Sequence, residues 1–437
     1  MSAFTVSIVL VLTAFAASLH ASETAPDGWK FVTIRDETAA KPAVQQNGGS
    51  FGLVISGNGQ GISDGRWVKR VPLPSSSFVK FTGRYRAADV EMAARNVIAS
   101  VVWIDEQDKE LSHPEFAATS VPADADGWRH VVAVYRVPEK ARQAQIELRL
   151  RWSANGRVEW RDVKLSAAEP PAPRRAKLAT VNHRPRGGKS AQENLDQFAK
   201  LIDEAGSNKA DIILLPEAIT LIGRGANYLG SAEPIPGPST EFLGKAAKKN
   251  NAYVIAGLLE RDGKAAYNTS VLIGRDGKLI GKYRKVCLPR AEIDGGLAPG
   301  NEYPVFDTDF GRIGMMICWD VSYPEVAREL AVAGAEIIFM PIWGGNETLC
   351  RARAIENQVP LVISGYDIRS AIYDAAGEPV AQAPSTDTTI IYAEIDLNQP
   401  MNWKWHGNWR SRIWLEGPVR KDPAEPIAAA GQAAGAD

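Results

Sequence analysis

Three residues of complementary chemistry stand at the carboxyl ends of three apolar runs. DIILLPE closes on Glu217, VLIGRDGKLIGKYRKVCLP carries Lys285 close to its end, and RIGMMICWD reaches Cys318. In an open α/β sheet, reactive groups gather where strands leave the core and meet solvent. A carboxylate, an ammonium and a thiol thus occupy equivalent positions. A thiol of pKa about 8.5 is only a few per cent thiolate at neutral pH until a base assists it. Glu217 can be that base, and an ammonium such as Lys285 can stabilise the oxyanion that forms when sulfur attacks a carbonyl carbon. Singly, each residue has an ordinary role: a solvated strand exit, a surface charge beside Lys282 and Arg284, a small core side chain. Their occurrence at three strand ends of one domain is what sets them apart.

Their contexts follow in the order LLPE at 214–217, KYRKVCLP at 282–289, CWDVSYPE at 318–325 and RARAIENQ at 351–358. From about Lys177 to about Leu397 this resembles the nitrilase superfamily of carbon–nitrogen hydrolases. The resemblance implies an α-β-β-α sandwich, a Glu-Lys-Cys triad and a homodimer or higher homo-oligomer. Carried onto this sequence, it makes Cys318 the nucleophile that forms a thioester, Glu217 the general base and acid, and Lys285 with the backbone amide of Trp319 the oxyanion donors. Glu292, in PRAEIDGGLAPG, is the family's further glutamate that positions substrate or water. Arg353 and Glu356 match a segment read as a structural ion pair.

Cys287 stands where the family usually has His, a change that touches local packing rather than the reaction. Asp320, Pro324 and Glu325 are similar to the pattern of N-carbamoyl-amine and aliphatic amide hydrolases, favouring an amide over a nitrile. Carbamoylases of amino acids place arginines just after the cysteine, where a bidentate donor holds a carboxylate. Val321 and Ser322 occupy that stretch here, so a neutral or cationic amide or ureido substrate is expected. Competing readings are an amide-forming acyltransferase using the same triad and a non-catalytic carbohydrate- or cell-wall-binding protein.

The elements that must position these groups are legible from pattern. Ser190 and Glu193 form a capping box, and Leu195, Phe198 and Ile202 share one helical face, so the stretch after it is a helix between strands, an α/β architecture. Before it, SAAEPPAPRRA, with the linker set at 167–176, reads as a stiff, solvated connection between domains. From 26 to 166 the chain shows short strands such as FVKFTGRYR (78–86) and QIELRLRW (145–152), the latter alternating in strict period two and placing Trp152 on the apolar face. Several such strands predict an all-β sandwich, and GRVEWRDVKL at 156–165 resembles the last strands of jelly-roll carbohydrate-binding modules. Trp29, Trp67, Trp103, Trp128, Trp152 and Trp160 are read mainly as core, with carbohydrate as a candidate partner.

Residues 1–21 read as a signal peptide around the apolar run Val6 to Ala17, too short for a membrane span of about 20 residues, which implies a secreted or periplasmic protein. The hydrolase domain is set at 177–421, and residues 422–437 lack the large apolar groups needed to pack. With 50 Lys+Arg against 51 Asp+Glu the net charge is −1, which offers no bulk field for a nucleic acid. Three cysteines, Cys287, Cys318 and Cys350, exclude a disulfide scaffold, and Cys350 reads as a buried thiol. The histidines show no metal-ligand spacing, so neither metal nor cofactor is expected.

Overall fold

The computed structural model describes residues 20–119, 123–398, 402–403 and 407–416. The apolar run read as an export signal and the tail from 422 lie outside the described residues. A strand, His20–Thr24, already occupies the last two positions assigned to the signal. The chain divides into two compact units, Met1–Ala167 and Ala168–Asp437.

The first unit is two six-stranded sheets. One runs in the order His20–Thr24, Lys30–Thr33, Asp64–Pro72, Gln143–Arg151, Val97–Ile104 and Glu115–Phe116; the other runs Lys41–Asn47, Ser50–Ser56, Arg157–Ala168, Phe78–Ala88, Arg129–Arg136 and Ala118–Thr119. Alternation sends one set of side chains from each sheet into a shared core. Phe31, Trp67, Ile146 and Leu148 of the first sheet meet Leu53, Phe81, Val158 and Trp160 of the second there. Trp29, Trp67, Trp103, Trp128 and Trp160 are buried.

Trp152 corrects the reading by alternation. Period two ends with the strand at Arg151, and at Trp152 the backbone turns left-handed, with φ of 53°. The ring is 46% exposed, with the Arg151 guanidinium 4.1 Å from its centre.

The connection between units is also shorter than its composition suggests. The strand Arg157–Ala168 runs into the proline stretch, the strand Arg175–Asn182 starts before its expected end, and Ala176 is fully buried. Arg174 is not left to solvent: its guanidinium donates to both carboxylate oxygens of Glu336, at 2.9 and 3.0 Å.

The second unit builds two mixed six-stranded sheets, each around a parallel trio. In one the trio is Arg175–Asn182, Ile212–Leu214 and Tyr253–Asp262; in the other it is Arg312–Met315, Ile337–Pro341 and Leu361–Ser364. Strands buried on both faces read as continuous apolar runs, and here alternation sorts them between two cores. Leu178, Ile212, Leu214 and Ile255 face the second sheet's Ile313, Met315 and Phe339. Ala179, Val181, Ile213, Leu215 and Val254 face the helices Ala191–Ser207 and Pro238–Asn250 through Leu195, Phe198, Ile202 and Leu243. Helices Pro324–Val332 and Glu347–Asn357 pack on the second sheet through Val326, Leu330 and Ala354.

The first long helix begins as expected, with the Ser190 hydroxyl accepting from the Glu193 N–H at 3.1 Å. Phe198 is wholly buried at its centre. Phe198→Ala should cost about 3–5 kcal/mol, read as a lower denaturant midpoint with unchanged slope; a loss under about 1 kcal/mol would mean that this helix does not anchor the sheet.

Candidate active site

Glu217, Lys285 and Cys318 each sit just past a strand end. Glu217 follows Ile212–Leu214, Lys285 follows Leu279–Arg284, and Cys318 opens a 3-10 turn after Arg312–Met315. The two sheets pack face to face, which gathers strand exits distant in sequence into one place. Glu292 joins them from the short helix Arg290–Asp294.

The centre of the cluster is the Lys285 ammonium. It donates to Glu217 Oε1 at 2.9 Å and to Glu292 Oε1 at 2.6 Å. Asn268, on the neighbouring strand Ala265–Ile273, donates its amide to the same two oxygens, at 2.6 and 3.1 Å. All four side chains are buried, Lys285 to 1% exposure. Burial alone would strip the proton from a lysine, but the Glu217 and Glu292 carboxylates lie close enough to reverse that and hold its pKa above the usual value. Burial also pushes the Glu292 carboxyl up, with Lys285 opposing and Glu217 reinforcing.

Each glutamate is satisfied through one oxygen only. Glu217 Oε2 and Glu292 Oε2 are buried without a hydrogen-bond partner. Two carboxylates around one ammonium leave an excess of negative charge beside the thiol. Burial first, then Glu217, raises the Cys318 pKa, outweighing Lys285 and a backbone hydrogen bond from Trp343. The resting sulfur is therefore a neutral thiol, with Gly344 O 3.9 Å away. Its backbone is left-handed, φ 44°, which lifts it out of the strand line. Trp319 follows at the first turn, where N–H groups have no partner inside the helix and can point at an anion.

Backbone clearance and a buried acid hold this arrangement. Gly257 is required because a Cβ there would meet the Glu217 Cα at 2.6 Å. The Tyr366 hydroxyl donates to the Glu217 carbonyl at 2.8 Å. Asp320 ties the lysine turn to the cysteine turn: Oδ2 accepts from the Tyr283 hydroxyl and the Ile317 N–H, and Oδ1 from the Cys287 N–H, all at 2.8 Å. Burial pushes the Asp320 carboxyl up to about 6, against those three hydrogen bonds. Arg353 donates to the Val321 carbonyl at 2.9 Å and pairs with Glu356 at 2.5 Å, so the ion pair clamps the cysteine turn.

Sequence reasoning missed Asn268, Tyr228 and the work of Asp320. The signal for Asn268 was the polar run Asn268-Thr269-Ser270 inside an otherwise apolar strand, all three buried. Tyr228, in the short helix Tyr228–Ser231, lies over the cluster with its ring against Gly295, where a Cβ would come within 2.4 Å. Burial, Glu292 and Glu217 raise its pKa. The three cysteines are free thiols, Cys350 fully buried. Among the described residues no group of His, Cys, Asp and Glu is placed to hold a metal ion.

Two substitutions probe the supports. Asp320→Asn must turn an N–H₂ toward either the Ile317 or the Cys287 N–H. It should cost about 1–3 kcal/mol of stability and lower kcat, measured by urea unfolding and turnover. The native Asp320 holds a proton between about pH 4 and 6 that the unfolded chain has released, so its contribution to stability falls as pH rises through about 6. The Asn variant should lose that pH dependence. Gly257→Ala should displace Glu217 and cut kcat at least about tenfold, whereas wild-type turnover would show that the strand exit tolerates the shift.

The sequence model of the carbon–nitrogen hydrolase family matches residues 177–404. Omega-amidase NIT2 of Bos taurus is 34% identical over 234 residues, 47% of this chain and 84% of the relative. Omega-amidase NIT2-A of Xenopus laevis is 35% identical over 235 residues, 47% and 83% of the two chains. Among solved structures, Saccharomyces cerevisiae Nit3, a member of branch 10 of the nitrilase superfamily, is similar at 28% identity and a TM-score of 0.47, covering 53% of this chain and 93% of that one. The family match spans both sheets and every residue of the buried cluster: this chain belongs to the carbon–nitrogen hydrolase family of the nitrilase superfamily.

Proposed function

We propose that the second unit hydrolyses primary carboxamides or terminal ureido groups, releasing ammonia through a Cys318 thioester. The observation that carries this is the pair of unpartnered, buried oxygens, Glu217 Oε2 and Glu292 Oε2. A primary amide nitrogen brings two N–H donors, one for each, whereas a nitrile brings none and would leave both acceptors unpaired. The NIT2 relatives are named omega-amidases, and a chain-end amide is the substrate form that such a site suits.

The steps follow from proton positions. Glu217 takes the thiol proton as sulfur attacks the carbon. The oxygen becomes an oxyanion facing the third N–H of Lys285 and the Trp319 amide, donors of a kind typically worth about 10²-fold or more each. Glu217 returns the proton to the leaving nitrogen and ammonia departs; water then attacks the thioester with Glu217 again as base, the C–S bond breaks, the acid leaves and Glu217 returns the proton to the Cys318 sulfur.

The charges near the site support a neutral or cationic substrate. Arg284 is held by Glu260 and Asp262, and Arg290 pairs with Asp294 at the surface. Arg284 is thus already engaged by two carboxylates. We further read the first unit as a jelly-roll β-sandwich that binds carbohydrate, the protein as exported, and the active form as a homo-oligomer.

Hydrolysis of matched amides, followed as the carboxylic acid formed together with the ammonia or amine released, tests the central reading. Replacing the primary amide by its N-methyl analogue should lower kcat/KM by about 10²-fold or more, because one buried acceptor goes unpaired. Cys318→Ala should abolish release while leaving the fold intact. Equal rates on both amides, or activity in Cys318→Ala, would overturn it.

A further inference from the structure

The outer face of the second sheet in the first unit carries a cleft of about 330 Å³ lined by Gln45, Arg86, Ala87, Ala88, Arg157 and Glu159. That volume falls within the range of small-molecule sites, about 300–1,000 Å³. Val79, Phe81, Tyr85, Val158 and Trp160 fill the core, so alternation turns Arg84, Arg86, Arg157, Glu159 and Arg161 the other way. Gly52, paired across the sheet with Gln45, leaves the space that Glu159 occupies, since a Cβ there would come within 2.6 Å of Glu159 Oε1.

The charges do not balance within the cleft. Arg84 pairs with Asp162 at 2.6 Å, and Arg161 neutralises the buried Glu159 at 2.5 Å. Arg86 reaches the other oxygen of Glu159 only at 3.5 Å, and its side chain is 49% exposed. Arg157 donates to the Gln45 side chain at 3.2 Å and has no ion-pair partner among the described residues. Two guanidinium groups are thus in excess on one open surface.

Trp128 decides what this face can recognise. The ring is buried, with the guanidinium carbons of Arg84, Arg86 and Arg161 at 4.8, 5.1 and 5.0 Å from its centre. It is covered by cations and cannot serve as a platform for a neutral sugar ring. Instead it holds the arginines in place, which lowers the entropy cost of using them.

We propose that this cleft binds acidic saccharides of the uronate type, with the carboxylate between Arg86 and Arg157, hydroxyls against Gln45 and Glu159, and the ring over Ala88. An arginine fork matches a carboxylate in two parallel hydrogen bonds. The inference deepens the carbohydrate-binding reading of the first unit and rests on it.

Titration calorimetry of the full chain with oligogalacturonate, with neutral xylo-oligosaccharide and with inorganic phosphate tests it. The acidic oligomer should bind, more weakly as salt rises. Arg86→Gln and Arg157→Gln should each weaken binding about tenfold or more, leaving the chain folded and ammonia release unchanged. Binding of oligogalacturonate by the double variant as by wild type, or of phosphate without the oligomer, would overturn the proposal. Binding of the neutral oligomer alone would overturn it while sparing the broader carbohydrate reading; binding of neither sugar would sink both.

Discussion

A single buried ammonium, shared between two carboxylates, is the constraint on which the catalytic unit is organised. Lys285 cannot be wholly buried unless negative charge meets it, and Glu217 and Glu292 cannot be buried together unless a cation separates them. Each member makes the others tolerable. Asn268 completes the exchange by donating to the same two oxygens, which leaves one oxygen of each glutamate without a hydrogen-bond partner. Burial, with Glu217 reinforcing it, then holds the Cys318 pKa up, so in the proposed reaction the thiol is activated during attack rather than stored as a thiolate.

This arrangement depends on the two-sheet core. Glu217 and Lys285 leave one sheet and Cys318 the other, and no local segment could bring them together. Asp320 bridges the two sides, holding the Ile317 N–H at the cysteine turn and the Cys287 N–H beyond the lysine. Its raised pKa marks the strain of burying an acid for positional reasons. The histidine usual at position 287 is not needed for that contact, because Asp320 bonds the backbone there and not the side chain.

Much of the site was legible because strand ends are marked by where apolar runs stop. Glu217, Lys285 and Cys318 follow from such stops and from their local contexts, Glu292 came only from the family resemblance, and the structure gathers all four at one place. Asn268 was hidden inside a strand whose neighbours are apolar, and burial is what turns its amide into a partner for carboxylates. Tyr228 lies in a loop-borne single turn with no periodicity to read. In the first unit the strands were visible from alternation, but Trp152 was misplaced because a left-handed residue ends the period abruptly. The proline-rich connection looked solvated by composition, yet Arg174 finds Glu336, a pairing across 162 positions that no local pattern encodes.

The central claim is that burial, reinforced by Glu217 and outweighing Lys285, keeps the resting Cys318 as a neutral thiol. Ultraviolet thiolate absorbance, taken as the difference between the wild-type protein and Cys318→Ala across a pH titration, tests it directly. The account predicts no Cys318 thiolate up to about pH 9, beyond the ordinary thiol value of about 8.5. A thiolate signal with a midpoint at or below neutral pH would contradict it and would place a preformed thiolate–ammonium pair at the centre of the site.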